Sequence, residues 1–220
     1  MTTTADDLLA AWRTAEAEAL GAIGLTPAIP DVYAVALSDD GDWTGEAYLP
    51  KNTRGGVVNQ EQPGPGVIHR PTEDLLARLE GYEPGTAPPP KTVGALLTHV
   101  VPPPDSLRYS RITVRQEADV PAAVDRTVEL VRDRFLPWQH RYTEPDAVRD
   151  YLAAKPYLGL LRYGNLRRLV VLDHLRGDDA GARAALDTYL AEYPGSKAAD
   201  VQARHEAFVA GARQLLSDPR

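Results

Sequence analysis

LRYSRITVRQEADVPAAVDRTVELVRDRF, residues 107–135, contains the point at which the chain changes its periodicity. Over 107–115 Leu107, Tyr109, Arg111, Thr113 and Arg115 fall on one side and Arg108, Ser110, Ile112 and Val114 on the other, the period-two pattern of a strand. Its charge suits an edge position, where it discourages pairing with other chains. From Asp119 the spacing becomes helical. Asp119 stands at an N-cap position with Pro121 just inside, and Val124, Thr127, Val128, Val131 and Phe135 form one buried stripe. A strand that gives way to helix with no flexible linker predicts an α+β fold.

Composition changes at the same place. Residues 1–117 hold 13 of the 19 prolines and 11 of the 17 glycines, with 9 Lys/Arg against 16 Asp/Glu. Residues 118–220 carry 15 of each sign, so the whole formal charge of −7 belongs to the first part. The expected architecture is an N-terminal helix and a small antiparallel sheet over 1–117, then a bundle of about five helices over 118–220, packed on the sheet as one compact unit.

Upstream, Leu8, Leu9, Trp12, Ala15, Ala19, Leu20 and Ile23 share a helical stripe over residues 6–24, with Arg13, Glu16 and Glu18 placed elsewhere. Residues 31–38 and 43–49 flank the turn Asp39-Asp40-Gly41-Asp42 and predict a β-hairpin. Residues 50–71 read as an exposed loop around one short strand. Thr72 is placed to cap a helix over 73–80 that carries Leu75, Leu76 and Leu79, residues 85–90 form a stiff linker, and 92–101 suit a strand or a short helix before Pro102-Pro103-Pro104.

Downstream, Pro137 ends or kinks the helix begun at Asp119, and Thr143 with Pro145 starts another that turns Val148, Tyr151 and Leu152 inward. Pro156 opens the most apolar helix, with Leu158, Leu160, Leu161, Leu166, Leu169, Val170, Leu172 and Leu175. Gly177-Asp178-Asp179 turns it back into a helix over 182–193, and a last helix carries Val201, Phe208, Val209, Ala212 and Leu215.

Composition excludes several classes. There is no cysteine, hence no disulfide, thiolate nucleophile or cysteine-ligated metal. The start lacks the basic and apolar stretches of a signal peptide, and no apolar run reaches the ~20 residues of a membrane span, so a cytoplasmic protein is expected. Arg outnumbers Lys 20 to 4, the mark of a GC-rich genome, and the acidic balance argues against nucleic acid.

Ala182 falls twelve residues before Pro194, so the αα-hairpin at 166–194 resembles a tetratricopeptide-type hairpin, although Val170 and Asp173 stand where that repeat has Gly and Tyr, and no second copy follows. The order of elements, with Phe135-Leu136-Pro137-Trp138 closing a long helix, loosely resembles an uncharacterised bacterial family of unknown function over roughly residues 5–155. That resemblance implies an α+β fold and no activity.

Catalytic signatures are absent: there is no G-x-G-x-x-G, no G-x-x-x-x-G-K-[ST] and no G-x-S-x-G. The histidines His69, His99, His140, His174 and His205 share no metal-ligand spacing, and neither a metal nor a cofactor is expected. The densest aromatic and polar cluster spans 135–142. Trp138, His140, Arg141 and Tyr142 are the candidate binding residues, as an aromatic wall with an imidazole and a cation, while the simpler reading makes Phe135 and Trp138 core plugs at a turn. Arg162, Arg167 and Arg168 form the one basic cluster, a salt-bridged face for which Asp173, Asp178 and Asp179 are the nearby partners. The function expected is a non-enzymatic bacterial interaction protein, adaptor or immunity-like, that presents an acidic face to another protein. The alternative is a small-molecule binder or enzyme with a pocket at 138–142, where sheet meets helices.

Overall fold

A computed structural model describes residues 4–84, 91–154 and 160–217. The linker expected at 85–90, and Pro156 and Leu158 of the apolar helix, lie outside them. The fold is α+β as expected, with a richer set of strands than the sequence suggests.

Helix α1 (Ala5–Gly21) starts at a capping box: Thr4 Oγ1 accepts from the Asp7 amide at 3.2 Å, while the Thr4 amide donates to the Asp7 carboxylate at 3.0 Å. Strands β1 (Thr26–Ile29), β2 (Val32–Ala36) and β3 (Trp43–Tyr48) follow as an antiparallel meander, in which β2 and β3 are the expected hairpin. Residues 50–71 form three strands where a loop around one short strand is expected: β4 (Lys51–Arg54), β5 (Val57–Glu61) and β6 (Gly64–His69). Gly55 and Gly56 at φ 62° and 78° close the β4–β5 hairpin, a backbone that side chains disfavour.

Helix α2 (Arg70–Leu79), strand β7 (Val93–Gly94) and helix α3 (Leu97–Val100) come next, so 92–101 is strand and helix in turn. Thr72 lies inside α2 and is buried, not at its cap. Helix α4 (Ser106–Ser110) occupies the first half of the strand expected at 107–115, leaving β8 (Arg111–Val114). Turn bonds from the Ser106 and Leu107 amides to the Pro102 and Pro104 carbonyls wind this stretch before the alternation can extend. Tyr109 is thereby buried, and Leu107 is 71% exposed. The sheets have the orders β1-β2-β3-β6-β7 and β4-β5-β8, which puts β8 on an edge as its charge predicts.

Helix α5 (Val120–Leu130) runs through a π-helical turn at Val131–Phe135 into α6 (Leu136–Arg141). Pro137 does not end the helical run; it follows directly on the π-helical turn, and its missing N–H falls where the backbone bonding changes from π to α. Asp119 caps differently from expectation, its carboxylate accepting from the Arg115 and Gln116 amides at 2.9 and 3.2 Å. Helices α7 (Pro145–Ala153), α8 (Leu160–Leu175), α9 (Asp179–Glu192) and α10 (Ala199–Ser217) complete the chain.

These elements make two compact units, Met1–Val67 with Gly94–Tyr142 and Ile68–Val93 with Thr143–Arg220. The chain crosses between them inside β6, again inside β7 and a third time between Tyr142 and Thr143, a different cut from the compositional change near residue 118.

In the first unit α1 serves two cores. Leu8 and Trp12 join Val58, Ile112, Val114 and Val124, while Leu20 joins Tyr33, Leu49, Leu130 and Phe135. In the second unit Leu166, Leu169, Val170 and Leu172 of α8 are buried, as are Ala182, Leu186 and Tyr189 of α9, which packs on it. Leu175, expected inside, is 40% exposed at the end of α8. Gly177 at φ 81° and Asp178, which accepts from the Gly181 amide at 2.8 Å, shape the turn into α9.

Candidate functional site

The corner at 135–142 lies wholly in the first unit. Phe135 plugs the core as expected, whereas Trp138 is only half-buried, its ring tilted over that of Tyr142 at 4.6 Å. The Arg141 guanidinium stands 5.8 Å from the Tyr142 ring, and both His140 and Arg141 are exposed. The residue that points inward is Gln139. Its Nε2 donates to the Glu46 carbonyl at 2.8 Å and the Gly66 carbonyl at 3.2 Å, fastening α6 across β3 and β6. A Cβ at Gly45 would fall 2.9 Å from the Gln139 amide, so the glycine makes room for this anchor.

The basic cluster belongs to the second unit, and every guanidinium in it rests on a carboxylate. Arg162 bonds Glu192 at 3.1 Å, Arg167 bonds Glu80 at 2.5 Å, and Arg168 grips both oxygens of Glu73 at 2.8 and 3.0 Å. None of them uses Asp173, Asp178 or Asp179. Asp173 pairs with Arg149 at 2.9 Å, and Asp179 with His174 at 2.8 Å. The expected ion pairs exist, but they are internal rather than solvated: the Glu73 side chain is 2% exposed and also accepts from Thr92 Oγ1 at 2.7 Å. Burial pushes the Glu80 and Asp173 carboxyls up, with Arg167 and Arg149 opposing it. Nearby, the Tyr189 hydroxyl bonds His205 Nδ1 at 2.8 Å and Tyr193 stacks on the same imidazole at 4.3 Å. Burial carries the Tyr189 hydroxyl up to about 12 and, together with Arg167, pushes His205 down.

The first unit hides a second charged group. Leu8, Trp12, Glu16 and Leu20 are the fully buried line of α1, so a carboxylate occupies a core position. Lys51 answers it from the first residue of β4, with Nζ 2.6 Å from Glu16 Oε2, 3.1 Å from the Leu49 carbonyl and 5.2 Å from the Trp12 ring centre. Both side chains are 0% exposed. Asp31, at φ 62°, takes Arg13 Nε and Nη2 at 2.9 and 2.8 Å and the Lys51 amide at 3.2 Å. Burial pushes Glu16 up against the pull of Lys51, and the Tyr33 hydroxyl beside it is pushed up by burial and by Glu16. This cluster joins α1 to the strands where the chain leaves one sheet for the other, and with both charges sealed it is a clamp rather than a reaction centre.

One accessible feature of this unit is a trough of about 620 Å³, open to solvent, between the end of α1 and the run from α5 into the π-helical turn. Ala19, Ala22, Ile23 and Val128 line it together with Asp125, Glu129, Arg132 and Asp133. Glu129 accepts from Arg108 at 2.7 Å and from the Tyr109 hydroxyl at 2.8 Å, and Asp133 is bonded by its neighbour Arg132 at 2.6 Å.

Among the described residues no three His, Asp or Glu side chains gather as a metal site, and no helix is long and apolar enough to cross a membrane. Comparison with family models, curated proteins and solved structures finds no match to this chain.

Proposed function

We propose that this is a non-enzymatic, cytoplasmic interaction protein, an adaptor or immunity-like partner of another bacterial protein, and that its first unit engages a basic partner. The observation that carries the reading is where the charge lies. The first unit holds 16 Asp/Glu against 10 Lys/Arg, while the second holds 15 against 14. A net field of this kind contributes little to the fold and much to the encounter with an oppositely charged surface. The exposure of His140 and Arg141 lends the small-molecule alternative no comparable support. Affinity capture on the purified protein is expected to retain one stoichiometric, basic protein that salt releases. Retention of no stoichiometric partner, or of an acidic one that salt does not release, would contradict the proposal.

A further inference from the structure

We infer that the trough between α1 and α5 is the docking site for a basic amphipathic helix of the partner; the inference rests on the interaction reading above. Two helices packed side by side leave between them a furrow shaped for a third, the helix-in-groove mode of recognition. Its floor is built for close approach, since Ala19 and Ala22 are small and Ile23 and Val128 offer apolar contact.

The wall selects the sign of the partner. Asp125, Glu129 and Asp133 recur at every fourth residue along α5 and its π-helical turn, and all three line the trough. Such a row adds mutual repulsion along the helix; Glu129 is offset by Arg108 and the Tyr109 hydroxyl and Asp133 by Arg132, which leaves Asp125 as the uncompensated acid of the wall. Asp125 is exposed and has no ion pair among the described residues. Arg132, the one cation lining the trough, is tied to the adjacent Asp133 in solvent, where an ion pair is weak and gives way to an incoming cation. Cations one helical turn apart on a partner helix match the spacing of the acids, while its apolar face meets the alanines. The surplus of acids in the unit steers such a helix toward it.

The test titrates a synthetic Lys/Leu amphipathic helical peptide into the full-length ¹⁵N-labelled protein at low salt, with a Glu/Leu peptide of the same pattern as control. The expected result is selective binding of the cationic peptide, with amide shifts concentrated at 19–23 and 125–133. Asp125→Arg is expected to weaken it about tenfold, and Ala22→Lys, at an exposed position, to act in the same direction while both variants keep the wild-type melting temperature. Cationic binding that maps elsewhere on the first unit and ignores both variants would overturn the trough and leave the basic-partner reading standing. Failure of the cationic peptide to bind, or equal binding of both peptides, would overturn the two together.

Discussion

The first unit keeps one cation sealed inside, Lys51 on Glu16, and leaves a surplus of acids outside; the second unit is nearly neutral, and its α8 arginines are spent on its own carboxylates. In the second unit charge acts as internal fastening: Arg168 and Arg167 tie α8 to the start and the end of α2 through Glu73 and Glu80. In the first, the buried Glu16–Lys51 pair, Asp31 on Arg13, Asp7 and Asp119 on backbone amides and Glu129 on Arg108 and Tyr109 do the fastening, while exposed acids such as Glu18 and Asp125 form no ion pair among the described residues. The same residue types therefore hold a fold together in one place and face outward in the other. Burial decides between these roles, because a desolvated charge must be paired and a solvated one need not be.

The largest effect expected from breaking this pattern lies at Lys51. Lys51→Met leaves Glu16 buried without its cation and is expected to cost about 3–5 kcal/mol at neutral pH, measured by denaturant unfolding. Because burial already raises the Glu16 carboxyl, the variant should recover stability as acid protonates it, and Glu16→Leu combined with Lys51→Met should restore most of the loss. In the second unit Arg168→Ala leaves Glu73 with Thr92 alone and is expected to cost about 3 kcal/mol; a negligible loss would mean that Glu73 is less enclosed than its 2% side-chain exposure states.

Gln139→Ala frees the carbonyls of Glu46 and Gly66 and is expected to cost about 1–3 kcal/mol, whereas His140→Ala and Arg141→Ala, at the next two positions and exposed, should leave the melting temperature near that of the wild type. The smallest effect concerns pH. The folded protein holds His205 below its ordinary 6.5, so the unfolded chain takes up the proton first. Stability should be level above pH 6.5 and fall as pH drops below it, and His205→Gln should flatten that part of a melting-temperature profile.

Much of the architecture is legible in residue order. The β2–β3 hairpin shows as two apolar runs around Asp-Asp-Gly-Asp, and the α5 stripe shows at helical spacing. The strands at 51–69 escape because their buried positions are filled by Asn59, Gln60, Gly64, Pro65 and Gly66, residues that signal turns when neighbours across a sheet are unknown. Residues 107–110 alternate like a strand yet turn as helix, since the Ser106 and Leu107 amides donate to the Pro102 and Pro104 carbonyls and so begin a helical turn there.

The charged clusters divide in the same way. Glu16 carried a signal, because it continues the line from Leu8 and Trp12 to Leu20 at intervals of four, and a carboxylate there needs a buried cation. Lys51 carried none, as only the turn from β3 into β4 brings it to α1. In the 135–142 cluster the aromatic residues drew attention while the polarity of Gln139 concealed the anchor, and the partners of Arg162, Arg167 and Arg168 lie 30, 87 and 95 residues away in sequence.

The exposed acids that line the trough, Asp125 foremost, are proposed to serve recognition more than folding. The most direct test of that role is the dissociation constant of the Lys/Leu peptide measured calorimetrically across roughly 0.05 to 0.5 M NaCl, a range over which screening of exposed charges becomes nearly complete. Steep weakening with salt is expected, with a shallower dependence in Asp125→Arg. An affinity unchanged by salt, with the same slope in both proteins, would contradict that role.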